Sequence, residues 1–447
     1  MRMQRTSFFL LSLVISIVFT ACQTEATRNQ IPNGCPPACS EAHLSGVDFH
    51  EANLTQANFQ KADLTGADLS GADLVFANLN QANLRGANLS EASLFFSQLN
   101  STNLSEANLN KADLSESEMY QAILTNALLR EANLSKTMLV EADLREANLV
   151  KADLEKANLG KADLRQANLT QANLCCADLN RANLAGADLV YANLTEANLS
   201  GATLNNVKLN WSQLSRADLS NADLQGADLS GSALVEAKLT GANLNEANLQ
   251  EVDLSKVDLS GVKIDDSTEI DPKWRLVWEI VNQGAKGQKL NNIDLSQAYL
   301  SKTDLSLVDL SKSDLSGAEL TEADLQGANL TQANLEEAQL INANLRGAIL
   351  SGANLTNANL DGVDLTGVDL SNAILSYINL SGVKLTGVNL SGANLTNVDL
   401  SGADLTQANL SGADLSGAYL EGAILDDVDL SDTTLTGALM PDGTFHE

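Results

Sequence analysis

Few side chains in this sequence are equipped for chemistry. Among 447 residues there are five cysteines and three histidines. Four of these lie close together: Cys35 and Cys39 in "CPPAC", followed by His43 and His50. A C-x3-C-x3-H-x6-H spacing could supply four zinc ligands. The two prolines disfavour a regular helix across the cysteine pair, so the reading adopted is a small structural disulfide or free thiols, with no metal. Cys175 and Cys176 are adjacent. They read as tolerated surface substitutions, the alternative being a redox or intermolecular link. No histidine is paired in sequence with a nucleophile and an orienting acid, and no glycine-rich phosphate loop is visible. Neither enzymatic activity nor a cofactor is expected.

The many carboxylates have a simpler origin, which is also the element that must position everything else. The unit A-[DN]-L-x-x recurs, with Asp and Asn interchangeable before the central Leu. Taking that Leu, Phe, Ile or Met as reference, the register runs without a slip from Leu44 to Ile264. It resumes one residue out of phase at Leu290 and continues to Met440. Neither an α-helix nor a flat strand has a period of five. Composition agrees with an unusual core: 44% of residues are hydrophobic but only 4% are aromatic. Leu and Ala carry the apolar content, which implies a thin, repetitive interior built by stacking.

This pattern resembles the pentapeptide repeat family, and the resemblance covers most of the chain. It implies an all-β fold, a right-handed quadrilateral β-helix in which each pentad forms one side and four pentads complete a turn of 20 residues. The inward Leu would fill the centre, and the Ala two places earlier would let the corner close. The other three positions would face water, His50 among them, and stacked Asn side chains could form a ladder. Val252, Val257 and Val262, and Val363, Val368, Val383, Val388 and Val398, replace the inward Ala and should widen the coil locally. Positions 20 apart should stack. Val75 and Phe76 then lie beside Phe95 and Phe96, and Tyr191 lies beside Trp211. These outward aromatics are candidate partner contacts, or incidental surface packing.

The segment "DDSTEIDPKWRLVWEIVNQGAKGQK", residues 265–289, is the only long interruption. Asp271 and Pro272 suit a helix start and Gly284 a stop. Trp274, Val277, Trp278 and Val281 fall on one face of the helix between them. That face either packs on the coils and joins two β-helix blocks, or docks a partner through Trp274 and Trp278. The organisation expected is therefore a signal peptide (1–21), a tether and N-terminal cap (22–40), a first repeat block (41–264), the insert (265–289), a second block (290–440) and a C-terminal cap (441–447). At the N-terminus, Arg2 and Arg5 precede the apolar run "SFFLLSLVISIVF", which is too short to span a bilayer and reads as a signal-peptide core. It ends in "FTAC", which resembles a bacterial lipobox and makes Cys22 the expected lipidation site. Export and membrane attachment through the N-terminal lipid follow as expectations.

The formal charge is −30, and loss of Arg2 and Arg5 with the leader makes the mature chain more acidic. Such a surface repels nucleic acid and anionic headgroups at short range. The resemblance also brings an alternative: family members that mimic DNA occupy gyrase and protect it from quinolones. A β-helix of about 90 Å would carry about one net charge per 2.8 Å, against about one per 1.7 Å for duplex DNA. Against that reading stand the export signal and the absence of a C-terminal dimerising helix after Met440. The expectation is an exported, lipid-anchored scaffold that displays an acidic surface to an unidentified protein partner.

Overall fold

The computed structural model of the chain describes residues 35–365 and 367–447. The leader, Cys22 and the tether as far as residue 34 lie outside the described residues.

One pentad shows how the sequence builds the fold. In Ala62–Gly66 each backbone N–H has a partner. Ala62 donates to Phe59 O (2.9 Å) across a tight turn, and Asp63 donates to Ala42 O (2.9 Å) in the preceding coil. Leu64 and Gly66 donate to Asn83 O (2.8 Å) and Arg85 O (3.0 Å) in the following coil. Thr65 N–H is taken by the side chain of Asp63, whose Oδ1 lies 3.1 Å away. The residue before Leu is Asp or Asn because a short side-chain acceptor must reach the amide two places on. Buried backbone groups left without partners would each cost roughly 1–3 kcal/mol, so this complete pairing is what makes a period of five viable.

The pairing repeats at intervals of 20 residues, as in Asn58↔Asn78 and Asn78↔Gln98, always parallel. Each side contributes a single bridging residue before the next turn. Between Asn248 and Ile270 the bridges lengthen into two short parallel strands, β1 (Asn248–Leu249) and β2 (Glu269–Ile270). Leu and the preceding Ala are both turned inside: Leu144 and Ala142 are 0% and 1% exposed. Phe49 and Phe59 replace Leu in the first coil and meet edge to face, ring centroids 6.0 Å apart. The second position after Leu takes a left-handed conformation in nearly every pentad, whether it is Gly66 (φ 64°), Lys136 (φ 57°) or Trp211 (φ 59°).

The valines at the Ala position are buried or half-buried, and they lengthen the turn. Val308 and Val398 donate to the preceding Leu carbonyl at 3.3 Å, against 3.0 Å for Ala393 and Ala403. Where a hydroxyl replaces Ala it donates to a Leu carbonyl, as Ser97, Ser117 and Ser212 do at 2.6 Å. Ser232 Oγ is buried and has no partner. Ser232→Ala restores the ordinary residue and should raise the unfolding free energy by about 1 kcal/mol in urea titrations, whereas Ser97→Ala should gain nothing.

The chain divides into two compact units, one comprising residues up to Asp253 together with Val262–Ile270, the other Leu254–Gly261 and Asp271–Glu447. The unbroken repeat register thus conceals an exchange. Lys256 N–H donates to Gln297 O (2.8 Å) in the second unit, after which Lys263 and Glu269 return to the first, donating to Ala242 O and Ala247 O (both 2.9 Å). Helix α1 (Pro272–Gln283) belongs to the second unit. Asp271 caps it by accepting Lys273 N–H at 2.8 Å, and Gly284 ends it. Lys273 Nζ reaches Asp294 (3.1 Å) and Ser296 Oγ (2.8 Å), while Asn282 Nδ2 donates to Leu259 O (3.0 Å). Its buried face is Trp274, Val277 and Ile280, rotated from the face expected from the spacing. After Met440 the chain folds back, and Leu439 pairs antiparallel with Phe445.

Candidate interaction surface

With Leu and Ala inside, function falls to the three outward positions of each pentad. They form vertical columns in which residue i faces residues i ± 20. One column begins the aromatic patch: Phe76 and Phe96 stack with centroids 5.7 Å apart and an interplanar angle of 22°. Phe95 meets Phe96 edge-on at 4.5 Å. Phe76 and Phe96 remain 53% and 44% exposed, and Val75 and Phe95 are half-buried beside them. Tyr191 and Trp211 are 57% and 52% exposed in another column. The Trp211 indole lies over Gly231, where an added Cβ would come within 2.7 Å of it. Gly231 is needed there twice, for that contact and for φ 65°.

The two tryptophans of α1 part company. Trp274 is only 7% exposed, with Lys273 Nζ 4.8 Å from its ring centroid. The docking role raised for Trp274 is corrected accordingly, since its face is spent inside the second unit. Trp278 is half-buried. The structure exposes further apolar side chains: Tyr120, Ile123 and Leu128 in one coil, and Leu307, Tyr377 and Tyr419 in the second unit. Counting offsets from each central Leu or Met would have placed all six outside.

At the N-terminal end Cys35 and Cys39 are joined in a disulfide, with Cα atoms 4.8 Å apart. Cys39 N–H donates to Asn58 O (2.8 Å), so the small loop covers one side of the first coil. Both thiols are consumed, and His50 Nδ1 lies 2.9 Å from Ser70 Oγ, so the four-ligand zinc arrangement does not assemble. Among the described residues no three His, Cys, Asp or Glu side chains converge as a metal site. The grooves are open and shallow. One of about 390 Å³ is lined by Tyr377, Asn379, Asn397, Asp399 and Tyr419. Among the described residues no helix is long and apolar enough to cross a membrane.

The polar columns are ordered. Asn108 donates to Asn88, and Asn88 to Asp68, each at 3.0 Å, so the amide ladder ends on a carboxylate. Opposite charges meet within several columns: Lys136 lies 2.9 Å from Glu116, Lys161 3.2 Å from Glu141, and Arg216 2.6 Å from Glu196. Exposed pairs of this kind contribute little stability but break up the negative field. The turn carboxylates behave differently. The Ser70 hydroxyl, 2.6 Å from Asp68, holds that carboxyl below the ordinary value of 3.8. Thr65, Ser306 and Thr406 do the same for Asp63, Asp304 and Asp404. A carboxyl depressed by folding contributes stability that is complete above its unfolded value and is lost as pH falls through its folded one. Melting temperature should therefore hold above pH about 4 and fall as pH is lowered below it through these depressed values in circular-dichroism melts. A steady rise over that range would mean that relief of charge repulsion outweighs the turns.

The geometry agrees with the comparisons. The chain matches the pentapeptide repeats in overlapping or adjoining stretches running from 38 to 268 and from 286 to 440. It belongs to the pentapeptide repeat family, whose fold is the right-handed quadrilateral β-helix. Among solved structures it is similar to QnrB1, a plasmid-mediated fluoroquinolone resistance protein, with 21% identity over 43% of this chain and 90% of that one, TM-score 0.27. It is also similar to HetL of the cyanobacterium Nostoc, involved in heterocyst differentiation regulation, with 26% identity over 89% and 93%, TM-score 0.13. A pentapeptide repeat protein of the Arabidopsis thaliana thylakoid lumen is 30% identical over 28% of this chain and 69% of its own, TM-score 0.18. No curated protein matches.

Proposed function

We propose that this protein is a non-enzymatic interaction scaffold, exported and tethered through a lipid on Cys22, whose coils hold an aromatic patch rigidly toward a protein partner. The stacked, half-exposed Phe76–Phe96 pair carries the reading. Its backbone is fixed by ladder bonds above and below, so little entropy is lost when a partner covers it, and buried aromatics of this kind are the usual energetic centres of interfaces. Crosslinking in intact cells, followed by partner identification, tests it. Phe76→Ser with Phe96→Ser should lower partner recovery by about tenfold or more while leaving the thermal melt unchanged, because both side chains are exposed. Unchanged recovery removes the patch from the mechanism. Labelled-lipid incorporation that is equal in wild type and Cys22→Ala removes the tether.

The net charge of −30 favours a second reading, occupation of a DNA site on gyrase. The pairs of Lys136, Lys161 and Arg216 with Glu interrupt the acidic columns in which they lie on the first unit. Purified protein is accordingly expected to leave gyrase supercoiling and its quinolone sensitivity unchanged.

A further inference from the structure

Consecutive side chains usually diverge, but the turn that follows each central Leu brings two of them together. The first residue after Leu is followed by one in the left-handed conformation, and their side chains emerge side by side. The consequence recurs with different chemistry: Glu155 and Lys156 form an ion pair at 2.6 Å, Arg130 and Glu131 one at 3.4 Å, and Phe95 and Phe96 meet at 4.5 Å. Cys175 and Cys176 occupy the same two positions, with Cys176 at φ 60° and the two Sγ atoms 3.2 Å apart. Both are free and half-buried at the surface. The carboxylate of Glu196 approaches Cys176 Sγ at 3.7 Å from the next coil. Backbone bonds from Lys156 N–H to Cys175 O and from Cys176 N–H to Thr195 O, both 2.9 Å, fix the pair between two coils.

We infer that Cys175 and Cys176 form a preorganised vicinal dithiol that captures a thiophilic metalloid, a trivalent arsenical, as a two-sulfur chelate. Trivalent arsenic takes sulfur ligands at adjacent corners of a pyramid, which a close pair of thiols supplies. Linear two-coordinate ions would need thiols on opposite sides. The reaction balances without a redox partner: an arsenoxide R–As=O condenses with both thiols, two As–S bonds form, the As–O bonds break, and the two thiol protons leave with the oxygen as water. Arsenic stays trivalent. The hydrogen bond with Cys175, together with burial, pushes the Cys176 thiol up to about 11. Attack by a thiolate is therefore slowed, for capture as for oxidation and thiol exchange, and the advantage of the pair lies in retention rather than in rate. Making the second attachment intramolecular should strengthen retention by about 10²–10⁴-fold over a single thiol.

Phenylarsine oxide added to the full chain with the Cys35–Cys39 disulfide intact tests this, read by intact-mass spectrometry and peptide mapping. The expected result is one adduct per chain on the peptide containing Cys175 and Cys176. It should survive excess mercaptoethanol, be released by ethanedithiol, and be lost from Cys175→Ser and from Cys176→Ser. Ser already occupies the first of these positions in many pentads and the second at Ser101 (φ 55°), so both variants should fold, which an unchanged melt checks. An adduct that either variant retains, that a monothiol strips from the wild type as readily as a dithiol does, or that never forms would overturn the assignment.

Discussion

Replacing Leu144 with Asp should destroy the cooperative unfolding of the first unit. Leu144 is fully buried in the centre of a coil and its N–H donates to Asp163 O at 2.7 Å. Leu124 and Leu164 stack on Leu144, and the nearby buried hydroxyls of Ser117 and Thr137 are already spent on Leu114 O, so no free donor is there to receive a carboxylate. The introduced acid would be forced neutral, leaving a buried polar group without partners in a space shaped for an alkyl chain. Truncation of a buried Leu to Ala alone costs about 2–5 kcal/mol, and the carboxyl should take the loss beyond that range. In a stacked array such a defect also uncouples the coils on either side, because each coil touches only its neighbours. The expected urea profile is a split transition with a midpoint well below that of the wild type. Leu144→Met is the control. Met119 already fills the same position and is fully buried, so the substitution should cost less than about 1.5 kcal/mol. A single, unshifted transition in Leu144→Asp would mean that the inward position tolerates charge and that the core is not what holds the coil.

Asn168→Pro should cost nearly as much through the backbone alone. Asn168 donates its N–H to Ala147 O at 2.9 Å, and its side chain accepts Thr170 N–H at 3.0 Å and the Thr170 hydroxyl at 2.6 Å. Proline removes the donor and the side-chain acceptor together, orphaning Ala147 O below and Thr170 N–H beside it. Proline removes the ladder bond outright, and each group it orphans costs about 1–3 kcal/mol. Asn168→Asp keeps the acceptor and should lie within about 0.5 kcal/mol of wild type at neutral pH. Hydrogen exchange should show the proline defect opening the coils around residue 168 while the second unit keeps its protection. Equal protection in both variants would show that the ladder bond at this position is dispensable.

The amide ladder was legible because Asn recurs at a fixed offset, and Asn108–Asn88–Asp68 realise it. The left-handed residue two places after Leu was not read. That position accepts Gly, Asn, Lys, Glu and aromatic residues alike, because the backbone bond to the neighbouring coil, rather than the side chain, maintains the conformation. The vicinity of Cys175 and Cys176 was evident in sequence, but their 3.2 Å approach depends on that unseen turn. Helix α1 announced its ends through Asp271, Pro272 and Gly284. Its buried face did not follow from spacing, since Leu276 and Ile280 extend the apolar side beyond the expected stripe, and such a helix can settle on either Ile280 or Trp278.

By itself the sequence determined the repeat, the alternation of inward and outward positions, and the shortage of catalytic groups. Period, side-chain size and polarity are local quantities, and every pentad states them again. Only the tertiary structure decided which outward side chains touch, that Trp274 is buried, and that Leu254–Gly261 pairs with the second unit although its register belongs to the first. Those outcomes depend on which coil lies above and which below. A repeat whose units are nearly identical specifies how a coil pairs, but not which neighbour it pairs with.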